Sequence, residues 1–228
     1  MKDRSPLKLV IWDVDGTLVD SADIIMRSMA RGMAAAGLPE LPPATVGSIV
    51  GLSLPVAVAT LLPQADEPTR AAVVSGYRQS YHDDRTRAES PLFDGARALL
   101  ERLDARGDVV MAVATGKSQR GLTALMAAHD LSRYFVAMHC ADGHPSKPAP
   151  GMVLACLADA GVQPDRALMI GDTTYDIAMA GNAGVAAVGV SWGHHDAADL
   201  TEAGAIAVAR DFAELTRLIE GWIDGAAP

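Results

Sequence analysis

The apolar residues of this chain fall into short, nearly continuous runs separated by stretches with helical spacing. The first run covers residues 7–11 and is interrupted only by Lys8. Five further runs follow in the second half of the chain: Asp108–Thr115, Tyr134–Cys140, Ala167–Asp172, Val185–Val190 and Ala205–Val208. Strands that are covered on both faces are apolar throughout, whereas strands with one wet face alternate. The pattern therefore predicts an α/β fold with a doubly wound parallel sheet.

The segment between residues 21 and 87 contains no strand-like run. A helical pattern extends from Ser21, the expected N-cap, to Gly37, with apolar residues on one face. Prolines then divide the following sequence into short helical pieces. We therefore expect a discontinuous core made of residues 1–20 and 88–228, with an all-helical cap inserted at 21–87.

Composition and charge exclude several classes of partner. The chain has 19 basic and 28 acidic residues, a net charge of −9, and no basic tract, which argues against nucleic acid and anionic membranes. The N-terminal apolar run stops at Asp13, so we predict no signal peptide, and no later run is long enough to span a membrane. Cys140 and Cys156 lack metal-binding spacing and are expected to be buried, reduced thiols. We expect a cytoplasmic protein that is a monomer or a homodimer.

Polar side chains stand where the apolar runs end. Because the carboxyl ends of parallel strands lie along one edge of the sheet, where open α/β sheets bind their ligands, these side chains are expected to converge. The residues that follow the first four runs are Asp13, Asp15, Thr115, Gly116, Lys117, Lys147, Asp172 and Asp176.

These residue types suit the transfer of a phosphoryl group to a carboxylate, which can form an aspartyl phosphate. A singly charged carboxylate and a phosphate dianion about 4 Å apart repel by about 8 kcal/mol at an effective dielectric constant near 20. Mg²⁺ and a lysine ammonium would offset this repulsion. The Thr115 hydroxyl and the backbone N–H groups around Gly116 would hold the remaining phosphoryl oxygens. Asp15 would serve as the acid and base that moves the proton.

Four motifs in this sequence resemble those of the haloacid dehalogenase-like hydrolase superfamily, and they occur in the same order. They are DVDGT (13–17), VATGK (113–117), SKPAP (146–150) and GDTTYDI (171–177). The resemblance covers essentially the whole chain and implies a Rossmann-like core with a helical cap. It also implies that Thr115 and Lys147 hold the phosphate.

The resemblance implies a role for each carboxylate. Asp13 matches the nucleophile and Asp15 the general acid/base. Asp172 matches the Mg²⁺ ligand that completes the site with Asp13 and the backbone carbonyl of Asp15. Asp176 matches the second acid of the last motif, which supports either the metal site or Lys147.

Single residues separate the branches of the superfamily. The presence of Asp15 argues against the true dehalogenases, and the absence of lysine from residues 21–87 argues against the phosphonate-cleaving relatives. We expect a phosphatase similar to phosphoglycolate phosphatases, acting on a small phosphorylated metabolite. A phosphomutase of the β-phosphoglucomutase type remains an alternative, as do nucleotide monophosphates, sugar phosphates and pyrophosphate as substrates.

Several polar residues outside these roles have open interpretations. Lys117 is either a solvated loop residue or a substrate contact, and the loop Gly51–Ser53 is expected to face the cleft. His194 and His195, in the loop after the fifth run, are expected to be exposed. A polar cluster in the cap is either solvated or binds a substrate carboxylate: Arg78, His82, Arg85 and Arg87.

Overall fold

The computed structural model describes residues 7–85 and 90–225. Six parallel strands form one sheet: β1 (Lys8–Trp12), β2 (Val109–Thr115), β3 (Phe135–Cys140), β4 (Ala167–Gly171), β5 (Ala186–Val190) and β6 (Ala207–Ala209). Their spatial order is β3-β2-β1-β4-β5-β6. This is the Rossmann-like order, in which the winding reverses beside β1. The predicted fold class is confirmed.

Helices cover both faces of the sheet and build the cap. Within the described ranges they are α1 (Ala22–Ala35), α2 (Pro43–Gly47), α3 (Leu54–Leu61), α4 (Glu67–Arg85), α5 (Ala96–Asp104), α6 (Gln119–Ala128), α7 (Gly151–Ala160), α8 (Thr174–Asn182), α9 (Ala197–Glu202) and α10 (Phe212–Asp224). None of these helices has the length and apolar character needed to cross a membrane. The cytoplasmic location and the oligomeric state stay predictions.

Strand β1 shows why the apolar runs are continuous. Successive side chains of a strand point to opposite faces of the sheet. Val10 and Trp12 pack with α5, α6 and α10, whereas Leu9 and Ile11 pack with α7, α8 and α9. All four side chains are completely buried, so neither face of this central strand admits a polar residue.

The helices α1 to α4 form a separate apolar cluster, which includes Met29, Met33 and Val73. Helices α1 and α4 approach closely at two glycines. A Cβ on Gly32 would lie 2.6 Å from the carbonyl oxygen of Val73, and one on Gly76 would lie 3.0 Å from the Cα of Gly32. No strand occurs in the described part of this segment, residues 21–85, as the sequence predicted.

The chain enters and leaves the cap side by side. Val19 forms a bridge with Leu92, the N–H of Asp20 donates to the carbonyl of Pro91 at 2.9 Å, and the N–H of Phe93 donates to that of Leu18 at 3.0 Å. The predicted second boundary, between residues 87 and 88, lies outside the described residues and stays a prediction. Both cysteines are free and buried.

Candidate active site

The three central strands deliver polar side chains to one edge of the sheet. Asp13 follows β1, Thr115 ends β2 and Asp172 follows β4. All three are at least 99% buried. The N–H of Asp13 donates to the carbonyl of Ile170 at 2.9 Å, which fixes the segment after β1 against β4. The predicted convergence therefore takes place where the winding of the sheet reverses.

Lys147 is brought to the same point by the loop between β3 and α7. Its ammonium nitrogen lies 2.7 Å from Oδ1 of Asp13 and 2.6 Å from Oδ1 of Asp176, and its side chain is fully buried. Burial alone lowers the pKa of a lysine, but the two carboxylates outweigh it, so the pKa of Lys147 lies above its ordinary value. The side chain is therefore a fixed positive charge beside Asp13.

Asp176 contacts Lys147, one of the two partners that the sequence left open, and also takes part in the capping box of α8. It occupies the first turn of α8, where its Oδ2 accepts hydrogen bonds from the N–H and the hydroxyl of Thr173 at 3.1 and 2.7 Å. The hydroxyl of Thr173 in turn caps the N–H of Asp176. Its other oxygen holds Lys147. A Cβ at position 171 would overlap the Asp176 side chain, which explains the glycine there.

Asp172 is held by partners on both of its oxygens. The Thr17 hydroxyl donates to Oδ1 at 2.9 Å, and the N–H of His194 donates to Oδ2 at 2.9 Å. Gly16 has a φ of +80°, and a Cβ at Gly16 or at Gly193 would overlap the Asp172 side chain. These two glycines let two loops close around one carboxylate.

The expectation that His194 and His195 are exposed was wrong. The His194 side chain is only 6% exposed, and its Nδ1 lies 2.9 Å from Oδ2 of Asp172. Burial disfavours a charged imidazole, yet hydrogen bonding to Asp172 and the charge of that carboxylate raise the pKa of His194. The Nδ1 of His195 accepts a hydrogen bond from the N–H of Thr174 at 3.1 Å. The sequence signal that could have identified these two histidines is their position in the chain, because their loop follows the carboxyl end of β5.

Three buried carboxylates form a candidate cation site. Asp13, Asp172 and Asp176 each offer an oxygen, and these atoms lie within 4.8 Å of one another. Burial, together with the negative charges of Asp176 and Asp172, raises the pKa of Asp13 to about 7 despite the opposing effect of Lys147. This excess of buried negative charge, offered by oxygen donors alone, fits a hard divalent cation. The donor chemistry is that of a metal site.

Asp15 stands apart from this carboxylate group. Its side chain pairs with Lys117, whose ammonium nitrogen lies 2.8 Å from Oδ2 of Asp15 and 2.8 Å from the hydroxyl of Tyr81 in α4. Lys117 is 5% exposed in its side chain, so it is not a solvated loop residue. Burial would raise the pKa of Asp15, but the charge and hydrogen bond of Lys117 lower it below its usual value.

A cavity of about 500 Å³ lies between the core and the cap. The core lines it with Asp13, Asp15, Thr115, Gly116 and Lys117, and the cap lines it with the loop Gly51–Ser53 and with side chains of α1 and α4. The prediction that this loop faces the cleft is confirmed. The cavity lining does not include Lys147, Asp172 or Asp176. These residues lie deeper in the core, next to Asp13.

The cap touches the core around this cavity. The N–H of Ser53 donates to the Ser146 hydroxyl at 2.9 Å, and the Tyr175 hydroxyl donates to the carbonyl of Ser48 at 2.9 Å. A Cβ on Gly116 would overlap the carbonyl oxygen of Gly51. The described structure is therefore a closed arrangement of cap and core.

The predicted polar cluster of the cap is described only in part. Arg78 and His82 line the cavity. The side chain of Arg85 and the whole of Arg87 lie outside the described residues, so their expected place in the cluster stays a prediction.

Comparisons with known proteins agree with this geometry. A family described as haloacid dehalogenase-like hydrolase matches residues 10–190. The chain is 32% identical over 211 residues to the probable phosphatase IndB of Dickeya dadantii, with 91% of each chain covered. It is 32% identical over 225 residues to a phosphoglycolate phosphatase of Agrobacterium fabrum, covering 95% of this chain and 94% of the relative.

A solved structure shares the fold. The crystal structure of a predicted phosphatase from Clostridium acetobutylicum superposes with a TM-score of 0.84 at 27% identity, over 95% of this chain and 99% of that one. Both sequence relatives are described as phosphatases, in agreement with the predicted class of phosphoric monoester hydrolase. The chain belongs to the haloacid dehalogenase-like hydrolases and, within them, to the branch that resembles phosphoglycolate phosphatases.

Proposed function

We propose that this protein is a Mg²⁺-dependent phosphatase that hydrolyses a small, phosphoglycolate-like organic phosphate monoester through an aspartyl-phosphate intermediate. The observation that carries the proposal is the ion pair between Lys147 and Asp13 at 2.7 Å. It sets a buried cation beside a buried carboxylate that opens onto the cavity. The packing of side chains at the end of a strand does not require such a pair. A carboxylate that attacks a phosphate dianion does require a nearby cation, because the two anions repel each other.

In the first half-reaction, an oxygen of Asp13 attacks phosphorus, the Asp13–phosphorus bond forms, and the bond to the leaving oxygen breaks. Asp15 donates a proton to that leaving oxygen, so that an alcohol departs. In the second half-reaction, Asp15 takes a proton from water, the water oxygen attacks phosphorus, and Asp13 is released with inorganic phosphate. Positioned acid–base catalysis of this kind contributes about 10²–10⁴-fold.

The other residues of the site offset charge and hold oxygens. Lys147 reduces the repulsion between Asp13 and the phosphoryl group, and the Thr115 hydroxyl with the N–H groups near Gly116 binds phosphoryl oxygens. Mg²⁺, held by Asp13, Asp172 and the backbone carbonyl of Asp15, would supply further positive charge beside the phosphoryl group when bound. Asp176 keeps Lys147 in place. The closed cap excludes bulk water during the first transfer.

The pair between Lys117 and Asp15 adds a condition to this sequence of steps. The ammonium favours the ionised form of Asp15, which is the form that accepts a proton from water. Donation to the leaving group needs the protonated form, so the pair must loosen when substrate fills the cavity.

A phosphomutase of the β-phosphoglucomutase type is the less favoured alternative. The cap lines the cavity with polar side chains that include Arg78 and His82, but it also presents a wall of apolar side chains that a sugar would leave unused: Ile25, Met29, Ile49 and Val50. Nucleotide monophosphates, sugar phosphates and pyrophosphate can be separated from organic monoesters by a substrate panel.

The proposal is tested by phosphate release from phosphoglycolate and 4-nitrophenyl phosphate, with Mg²⁺ and with a chelator. We expect activity with Mg²⁺, loss with the chelator, and loss of at least about 10³-fold in Asp13→Asn. Asp130→Asn is the matched control, because Asp130 is 78% exposed and has a φ of 50°, which asparagine tolerates. Rapid quenching followed by intact-mass measurement should detect a phosphorylated chain. Release that persists in Asp13→Asn would overturn the nucleophile assignment.

A further inference from the structure

The cavity is larger than a two-carbon leaving group requires. Its volume of about 500 Å³ falls within the range of about 300–1,000 Å³ that encloses drug-sized ligands. Phosphoglycolate carries its carboxylate one carbon from the ester oxygen, so this substrate would occupy only the inner end of the cavity. The remaining volume has its own lining, and that lining differs from one end to the other.

The middle of the cavity is apolar. The cap contributes Ile25, Met29, Ile49, Val50 and Leu52, and the first four of these are buried in the cap core. Apolar side chains at this depth gain from contact with an apolar ligand and bind an unpaired anion poorly.

Two tyrosines complete the middle of the cavity. Tyr77 and Tyr81 stack with ring centroids 5.9 Å apart, and the hydroxyl of Tyr81 accepts a hydrogen bond from Lys117. Lys117, the lysine that lines this inner part, is itself paired with Asp15. The middle of the cavity thus offers surface for a ring and little for a charge.

The mouth of the cavity is positively charged. Arg78 on α4 and Arg120 on α6 are exposed residues that line the same cavity. Within the part of the chain that the structure describes, neither guanidinium makes an ion pair with a carboxylate. Asp142 also lines the cavity; its Oδ2 accepts the N–H of Gln119 at 2.8 Å, and its charge offsets part of the positive charge of the two arginines. Among the described residues, two arginines that form no ion pair with a carboxylate thus lie at the entrance, in a chain of net charge −9.

These cations come from both the cap and the core. The Nη2 of Arg120 lies 3.1 Å from Nε2 of His82 in α4, so the core arginine meets the cap at this point. Cationic and basic groups that converge are stabilised by an anion placed between them. The guanidinium group is suited to this because its parallel N–H donors match the oxygens of a carboxylate.

We propose that the substrate's leaving group is longer than glycolate and has two parts: an apolar body about the size of an aromatic ring, and an anionic oxygen group at its far end. The ring lies against Tyr77, Tyr81 and the apolar cap wall, and the anionic group binds Arg78 and Arg120 at the mouth. This inference rests on the proposed phosphatase function, which places the phosphoryl group at Asp13. The far anion would bridge cap and core and thereby favour the closed arrangement.

Three phosphate monoesters separate the features of this proposal. These are 4-carboxyphenyl phosphate, 4-carbamoylphenyl phosphate, which has the same shape without the charge, and phosphoglycolate. For the unchanged protein we expect kcat/KM for the carboxyphenyl ester to exceed that for the carbamoyl ester by about tenfold or more. We also expect kcat/KM for the carboxyphenyl ester to exceed kcat/KM for phosphoglycolate.

The variants test which residues recognise the charge. In Arg78→Gln/Arg120→Gln the ratio of kcat/KM for the carboxyphenyl ester to kcat/KM for the carbamoyl ester should fall to about one. Arg210→Gln is the matched control, because Arg210 is 80% exposed, pairs with Glu214 in α10 and does not line the cavity. This control should keep the full preference.

The outcomes distinguish the inference from the proposed function. Equal kcat/KM for the two aryl esters, a preference that survives in the double variant, or phosphoglycolate as the best of the three would overturn the inference and leave the phosphatase assignment intact. Absence of phosphate release from all three esters, or release that is independent of Asp13, would overturn the phosphatase assignment itself.

Discussion

The ammonium nitrogen of Lys117 lies 2.8 Å from Oδ2 and 2.9 Å from Oδ1 of Asp15, and the two residues are 102 positions apart in the chain. The same nitrogen reaches the hydroxyl of Tyr81 on the cap. One side chain therefore connects the proposed acid/base with the element that covers it.

Replacing Lys117 tests this connection. Lys117→Met leaves the buried Asp15 carboxylate without its counter-charge, so we expect kcat to fall by about 10²-fold or more. Tyr81→Phe removes the contact with the cap hydroxyl and keeps the ion pair, so its effect should be mainly an increase in KM, with kcat within about tenfold. Steady-state kinetics on both variants provides the measurement. A Lys117→Met enzyme with unchanged kcat would show that the pair has no part in the proton transfers.

The contact between Gly116 and Gly51 makes closure sensitive to one methyl group. Gly116→Ala places a Cβ against the Gly51 carbonyl oxygen and 3.0 Å from that of Leu52, so the loop cannot approach as it does here. We expect kcat/KM to fall by about tenfold or more with little change in the free energy of unfolding. Gly107→Ala is the matched control, since a Cβ there meets nothing within 4 Å. Equal activity of the two variants would argue against a need for this contact.

Lys147 is also expected to stabilise the fold. Lys147→Met removes the only ammonium bonded to Asp13 and Asp176 in the described residues. Removing one partner of a buried ion pair costs about 3–5 kcal/mol. Urea unfolding in the presence of a chelator measures this loss, and adding Asp176→Asn to the Lys147→Met variant should recover part of it. A Lys147→Met chain that unfolds within about 1 kcal/mol of the parent would contradict the prediction.

The raised pKa of Asp13 links stability to pH and to metal. Burial and the neighbouring carboxylates raise its pKa from 3.8 to about 7, so the folded, metal-free protein holds this proton more tightly than the unfolded chain does. The resulting stabilisation is present below about pH 4 and is lost as the pH rises through about 7. A divalent cation that binds Asp13 competes with this proton for the carboxylate.

We therefore expect added Mg²⁺ to raise Tm more at about pH 8 than at about pH 5.5. Thermal unfolding with Mg²⁺ or chelator measures the difference, and Asp13→Asn should remove most of it. A Mg²⁺ effect on Tm that is independent of pH would mean that the cation and the Asp13 proton do not share a site.

Much of the fold was predictable because the sheet is covered on both faces. Strands such as β4, with every residue buried, leave uninterrupted apolar runs, and the polar residues at the ends of the runs of β1, β2 and β4 meet at the carboxyl edge of the sheet. Asp13, Thr115 and Asp172 were recognisable in this way. The residues that contact these three side chains could not be predicted from the sequence. The side-chain roles proposed for them stay predictions.

What the sequence did not disclose depends on contacts between distant loops. His194 is buried because the loop after β5 folds over the loop after β4, where Gly193 lacks a side chain and permits close approach to Asp172. Lys117 is buried because the cap closes above it. A histidine or a lysine in a polar loop carries no local pattern that reports such an approach. The burial of both residues depends on how two separate segments of the chain lie in three dimensions.

The bridge between Val19 and Leu92 has a consequence for how this protein can change over evolutionary time. The segment that leads into the cap and the segment that returns from it are hydrogen-bonded to each other beside the sheet. The inserted cap therefore begins and ends at nearly the same place on the core. Such an insertion can be lengthened, shortened or replaced by another without moving the strands of the sheet. The core that carries the proposed reaction and the cap that would contact the leaving group can therefore change independently within one gene.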